Sequence, residues 1–331
     1  MHRKNGLQGT GWKWVWSVMA ISLTLLPIQV NAQEFPTKAI KIIVPFPPGG
    51  HTDVLGRLIG QKMSESLKQP VIIENRPGAN GIIGSEVAAR ATPDGHTLLM
   101  VAPGHASNLS LNAKLPYDTL TDFQPISLLV TQPSILVVHP ALGVKNVRQL
   151  IALAQAKPGT LSYASGGIGS GQHLAAEMFK YMTKTDVLHV SYKGVAPAEA
   201  DVLAGQVNMM FAPAISSLPH IRSGRFVALG VTSENRSSAV PDLPTIAEAG
   251  VPGYAAVTWL GLLGPKGIPV PIVEKLHTEV ARILKLPDVQ ERLAQLGAEA
   301  QATSPAQFDA FIREEAKRWG DVIKANGIRA E

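Results

Sequence analysis

What most constrains this chain is a recurrence: a short apolar run, a turn built from glycine and proline, then a helix-compatible run. Ile40–Val44 leads into Pro45-Phe46-Pro47-Pro48-Gly49-Gly50-His51-Thr52-Asp53, and Val54–Leu67 leads out. A strand that ends in such a turn and passes into a helix leaves unpaired backbone N–H groups at the positive end of the helix, which suits an anion. Thr52 or Asp53 is the expected N-cap. The pattern continues with strand Val71–Glu74, turn Asn75-Arg76-Pro77-Gly78, helix Gly84–Ala91, breaker Pro93-Asp94-Gly95 and strand Thr97–Val101. Apolar strands alternating with helices predict a parallel sheet covered on both faces, with ligands beyond the carboxyl ends of the strands. Three loops fit that place: Pro45–Asp53, Asn75–Gly81 and Ala102–Asn108.

The stretch from Asp118 to Thr131 changes character and reads as a crossing into a second domain. It leads through the apolar run Ile126–Val130 to another apolar strand, Ser134–Val138, then helix Val147–Ala156. Strand Leu161–Ala164, the glycine-rich turn Ser165–Gly171 and helix Gln172–Tyr181 repeat the opening device. Val187–Val190, Tyr192-Lys193-Gly194 and helix Pro197–Ala204 repeat it again, followed by strands Val207–Phe211 and Phe226–Val231. Gly253–Gly264 reads as the return crossing. Helices follow over Ile272–Leu284, Pro287–Leu296 and Pro305–Ala325, with prolines where a first turn tolerates them, and are expected to pack on the first domain. Two lobes joined by two crossings make a cleft that can close on a ligand.

The 331 residues contain no cysteine, which excludes thiol catalysis, zinc–thiolate sites and disulfide scaffolds. Arg3, Lys4 and Lys13 precede an apolar stretch from Trp14 to Val30, and Val30-Asn31-Ala32 supplies small residues for a signal peptidase. A leader over 1–32 with cleavage after Ala32 is expected, which places the mature chain in the periplasm; a retained membrane anchor is the alternative. The formal charge of +5 owes three units to that leader, so the mature chain is near neutral. Without a basic stripe interleaved with aromatics, nucleic acid is not expected as a partner.

Chemical motifs are mostly excluded by spacing. Ser165–Gly171 lacks both G-x-x-x-x-G-K-[ST] and G-x-G-x-x-G, which argues against a nucleotide site. Its backbone amides and the Ser165 and Ser170 hydroxyls still suit a carboxylate. No G-x-S-x-G elbow and no H-E-x-x-H occurs, and the nine histidines have no metal spacing. His51 and His105 fall in cleft loops, where a solvated or hydrogen-bonded histidine is the commoner role. His173 and Glu177, four apart on one helix, read as a surface or capping pair. Asp53 reads as a cap before a catalytic carboxylate. Lys193 is either a ligand cation or a solvated one.

Several ordered motifs carry a resemblance to a known family. Ile42-Ile43-Val44-Pro45-Phe46-Pro47-Pro48-Gly49-Gly50, Asp53, Glu74-Asn75-Arg76-Pro77-Gly78-Ala79 and Pro93-Asp94-Gly95 look like the opening of the TctC/Bug family. These are the extracytoplasmic solute-binding proteins of tripartite tricarboxylate transporters. Leu115-Pro116-Tyr117-Asp118, Leu161–Ser165, His173–Glu177, Tyr192-Lys193-Gly194 and Pro241–Thr245 continue the match over the whole mature chain. The resemblance implies an α/β two-domain Venus-flytrap fold. It implies a small carboxylate held by loop amides and bridging waters, no cofactor and no metal, and an inner-membrane permease as partner of a monomeric receptor. Carried over residue by residue, Pro48, Gly49, Gly50, His51, Thr52 and Asp53 line one side, with His105 and Ala106 nearby. Ser165, Gly166, Gly167, Tyr192, Lys193, Gly194 and Ala212 line the other. Two departures stand out: His51 replaces a residue that is often glycine or small, and Ala212 one that is often aspartate. Ala212 removes an acceptor, so a ligand without an ammonium group is expected.

The expected organisation is domain 1 over 33–124 and 260–331 and domain 2 over 125–259, with Thr119–Val130 and Thr258–Gly264 as hinge. The expected function is capture of a small organic acid for a permease, without catalysis. A module that presents its ligand to a sensor kinase is the alternative, followed by a periplasmic hydrolase acting on a carboxylate or amide.

Overall fold

The protein is represented by a computed structural model, in which residues 34–237 and 240–328 are described. The leader and its cleavage site lie outside the described residues. Phe35–Glu331 forms one compact unit.

The first elements are β1 (Ile40–Val44), α1 (His51–Leu67), β2 (Val71–Asn75), α2 (Ile82–Ala89), β3 (Thr97–Val101) and α3 (Gly104–Leu111). Strand β4 (Phe123–Val138) leads to α4 (Val147–Ala156), β5 (Ser162–Ser165), α5 (Gly171–Thr183), β6 (Leu188–Ser191) and α6 (Val195–Leu203). Then come β7 (Met209–Pro213), α7 (Ala214–Arg222), β8 (Val227–Val231) and β9 (Val257–Pro265). The chain closes with α8 (Val270–Ile283), α9 (Pro287–Gln295), β10 (Glu299–Ala300) and α10 (Pro305–Ala325).

The strands lie in the order β2-β1-β3-β9-β4-β7-β5-β6, with β8 and β10 also paired to β4. Pairing is parallel within β2-β1-β3 and within β7-β5-β6, as the alternation of strands and helices requires. Between these two parallel groups the direction changes: β9 is antiparallel to both β3 and β4, and β4 is antiparallel to β7 and β8. The crossing strands run between the two halves, so they must meet their neighbours head to tail.

Strand β4 is the spine. Residues Phe123–Pro133 pair with β9, and Ser134–Val138 pair with β7. The sequence suggested two separate runs here because Pro125 and Pro133 interrupt the pattern. Proline gives no ladder N–H and sits where pairing is already disturbed. The register against β9 slips between Pro125 and Ser127 and again between Leu128 and Val130.

Each half has a core on both faces of its sheet, because successive strand residues point opposite ways. In β1, Ile40, Ile42 and Val44 pack against Leu55 and Ile59 of α1, whereas Ile43 faces Leu99, Trp259 and Phe308. In β4, Leu136 and Val138 join Tyr163, Phe179 and Phe211, whereas Ile135 and Val137 join Ala164, Val202 and Met210. Each such aliphatic side chain, fully buried, contributes about 1.5–3 kcal/mol.

Helices α8 and α9 pack on the first half through Leu276, Val280, Val289 and Leu293, as expected. Helix α10 does not stay there. Phe308, Ile312 and Ala316 belong to the first half's core, and Trp319, Val322 and Ile323 to the second's. Its apolar stripe runs its full length, so one 21-residue helix covers both.

Candidate ligand-binding site

Helix α1 begins at His51, so its N-cap is Gly50 rather than Thr52 or Asp53, and no side chain caps it. Asp53 occupies the third helical position and reaches back. One carboxylate oxygen accepts from the Gly49 N–H at 2.9 Å and from Arg57 Nε at 3.0 Å, and the other accepts from Asn75 Nδ2 at 2.9 Å. Burial pushes the Asp53 pKa up, but these hydrogen bonds and the Arg57 charge outweigh it and hold the group below the usual carboxylate range. Asp53 therefore fixes the loop, and its oxygens are occupied. Asn75 also donates to the Phe46 carbonyl, tying the two loops. Thr52 is buried, whereas His51 is exposed. Pro48 and Gly50 are exposed as well.

Residues Ala102–Asn108 were expected to form a loop but open helix α3. The helix escaped detection because Gly104 to Asn108 are all buried, so no polar face marks it. His105 is turned into an aromatic cluster, with its ring centroid 4.9 Å from Phe123 and 6.2 Å from Tyr117. Burial pushes its pKa down to about 4, partly offset by the Thr119 backbone. Ala106 is buried in the same core.

In the second half, Ser165 is fully buried and holds the glycine loop from within. Its hydroxyl lies 2.7 Å from His189 Nε2 and accepts from the Gly167 N–H at 3.2 Å. This serine–histidine pair resembles a nucleophile and its base, but the serine is fully buried. Ser170 caps α5 by accepting from the His173 N–H. Both hydroxyls are thus engaged within the loop.

His173 and Glu177 are not a surface pair. Both are buried. His173 Nδ1 accepts from the Gly169 N–H at 3.1 Å, and Glu177 accepts from Tyr163, Lys180 and Asn326. The spacing put His173 and Glu177 on one helix but did not show their burial, which depends on Tyr163 from β5 and Asn326 beyond α10.

Gly194 is the N-cap of α6 at φ 123°, again with no side-chain cap. Lys193 is exposed and forms no ion pair with a described residue. Tyr192 donates to Asp201. Ala212 lies in the second core beside Ile135 and Met210, fully buried.

These loops form a continuous arc. Gly81 approaches Pro45 and Phe46, Asn80 lies against Gly104 and Gly169, and Gly166 packs on Gly194 and Val195. Added β-carbons at Gly49 or Gly194 would meet nothing within 4 Å, so both ends of the arc face open space. Asn80 and its partner Asn108 were not singled out from sequence, although Asn80 falls in the second expected loop. A separate surface depression of about 440 Å³, lined by Leu109, Leu115 and Tyr117 among others, lies outside the arc.

Comparisons with known proteins agree with this architecture. The profile of the tripartite tricarboxylate transporter family receptors matches residues 55–328. Protein BugT of Bordetella pertussis is 37% identical over 302 residues, covering 91% of this chain and 93% of that protein. The structure of R. palustris Rpa4515 with adipate superposes with a TM-score of 0.80 at 37% identity, covering 89% of this chain and 99% of that one. MatC from Rhodopseudomonas palustris with bound malate gives 0.77 at 35% identity, covering 87% and 100%. The two-domain periplasmic binding-protein fold expected from the motifs is therefore the fold of this chain, which belongs to the TctC family of tripartite tricarboxylate transporter receptors.

Proposed function

We propose that the chain is a periplasmic receptor that captures a small dicarboxylate in the cleft bordered by the loop arc and delivers it to an inner-membrane permease. Catalysis plays no part. The observation that carries this reading is the pair of glycine-led, uncapped helix N-termini, α1 and α6, beside Gly49 and Gly194, which open onto free space. Free N–H groups at a helix start stabilise negative charge. Lys193 adds a solvent-facing cation on the same loop as Gly194. Relatives of known structure hold adipate and malate.

Ligands with an ammonium group are disfavoured. Asp53 has its oxygens filled by Gly49, Arg57 and Asn75, and Ala212 presents only a buried methyl group. Malate and aspartate differ at one substituent, a hydroxyl against an ammonium, and so make a close test. Titration calorimetry on residues 33–331 is expected to give binding for adipate or L-malate and none for L-aspartate. Tight aspartate binding would overturn the ammonium argument. No heat with any carboxylate tried would sink the receptor reading itself. Delivery to a permease is tested by deleting the gene and measuring uptake of the ligand so found.

A further inference from the structure

The turn after β2 is unusual in its backbone. Gly78, Ala79, Asn80 and Gly81 all have positive φ, at 137°, 47°, 51° and 89°. Glycine takes such angles freely, and asparagine tolerates them, but for alanine the left-handed region costs roughly 1–2 kcal/mol. A conformation of this kind persists only where its surroundings hold it.

Helix α3 supplies that hold. Asn80 Nδ2 donates to Asn108 Oδ1 at 3.1 Å, and Asn108 Nδ2 donates back to the Asn80 carbonyl at 3.0 Å. Asn108 is buried and Asn80 half-buried. The clamped carboxamide then seats on two glycines, Gly104 at the start of α3 and Gly169 in the loop before α5. A β-carbon at Gly104 would lie 2.8 Å from Asn80 Nδ2, and one at Gly169 would lie 2.6 Å from it. Gly169 is itself fixed, since its N–H donates to His173 Nδ1. An asparagine that merely relieved a left-handed turn would need neither the buried partner nor the two bare backbones.

We propose that Asn80 is a positioning residue for closure: clamped by Asn108 and seated on Gly169, it sets how closely the β2–α2 turn approaches the glycine loop after β5. The spacing of the two halves of the cleft is then fixed by a contact that does not involve the ligand. The proposal rests on the receptor reading only for the affinity arm of its test.

The test is a double-mutant cycle in the mature chain, with Asn80→Gly, Gly169→Ala and the double variant. Alanine at Gly169 adds a methyl group where the amide sits, and it also carries its own strain at φ 76°. The cycle cancels that strain, because it is present with and without Asn80. The chain has no cysteine, so spin labels at Glu65→Cys on α1 and Ala152→Cys on α4 report the separation of the halves without ligand. Gly169→Ala is expected to lengthen that distance and weaken adipate binding by about tenfold or more, and the double variant to restore both towards Asn80→Gly alone. Independent effects of the two substitutions would overturn the proposal. Should Gly169→Ala fail to fold, Asn108→Ala frees the carboxamide without adding an atom and is expected to broaden the label distances; an unchanged distribution would also overturn it. Coupling in the distances with no carboxylate tried bound by any variant leaves the positioning role standing and removes the receptor reading.

Discussion

His105 illustrates how a residue placed in a cleft loop by its position in the chain can belong to the core. It sits 4% exposed between Tyr117 and Phe123, and neither ring nitrogen has a hydrogen-bond partner of normal geometry. Burial in that cluster holds its pKa at about 4, below the ordinary 6.5. The folded state therefore refuses a proton that the unfolded chain accepts. As pH falls through 6.5 the unfolded state gains protons and stability is lost, and the loss levels off once the pH passes below the folded value. At pH 5 one such histidine costs roughly 2 kcal/mol. His173, also held at about 4 by burial and by the neighbouring His189, adds a similar slope. Urea unfolding of the wild type is expected to show stability falling from pH 7 to pH 5. His105→Phe, which keeps an aromatic ring in the cluster, is expected to reduce that fall by roughly 2 kcal/mol. Equal losses for the two proteins would show that His105 takes up its proton without unfolding.

Among the elements, α10 and β9 meet at Glu315. The indole N–H groups of Trp259 on β9 and Trp319 on α10 each donate to Glu315 Oε2 at 2.8 Å, and Arg318 pairs with Oε1 while donating to the Ala255 carbonyl. One indole belongs to the first half's core and the other to the second's, so a single buried carboxylate ties both. Glu315→Leu leaves two indole donors unpaired and is expected to cost about 3 kcal/mol in urea unfolding; Glu315→Gln, which keeps one acceptor oxygen, is expected to cost less. A neutral Glu315→Leu would deny the tie any energetic weight. The bounds of α10 and α4 were legible in the sequence, since each has a proline or asparagine at its start and a regular apolar stripe. Helix α3 was not, because burial on all sides removes the stripe, and the continuity of β4 was hidden by its two prolines. The loops of the site were legible as glycine turns after strands, whereas the roles of their side chains were not. Whether Asp53 caps a helix or braces a loop depends on Asn75, and Asn80 depends on Asn108, 28 residues away; such partners are set by packing.

For the molecule as a whole, the question is whether two halves with separate cores behave as two folding units. Each half buries its own apolar faces, which alone would allow independent unfolding. Three features oppose it. Strand β4 runs without a break through both sheets, so melting either half strips one end of a shared strand of its partners. Helix α10 contributes three core residues or more to each half. Asn326, just beyond α10, donates to both the backbone and the side chain of Glu177 on α5. Losing one half therefore exposes the apolar stripe of α10 and unpairs β4 in the other. Calorimetry of residues 33–331 is expected to give one transition whose van't Hoff and calorimetric enthalpies agree. A ligand that binds only the folded chain raises that single midpoint, by an amount set by about 2.7 kcal/mol at a hundred times its Kd. Two resolved transitions, with the ligand moving only one, would show that β4 and α10 join the halves in space but not in energy.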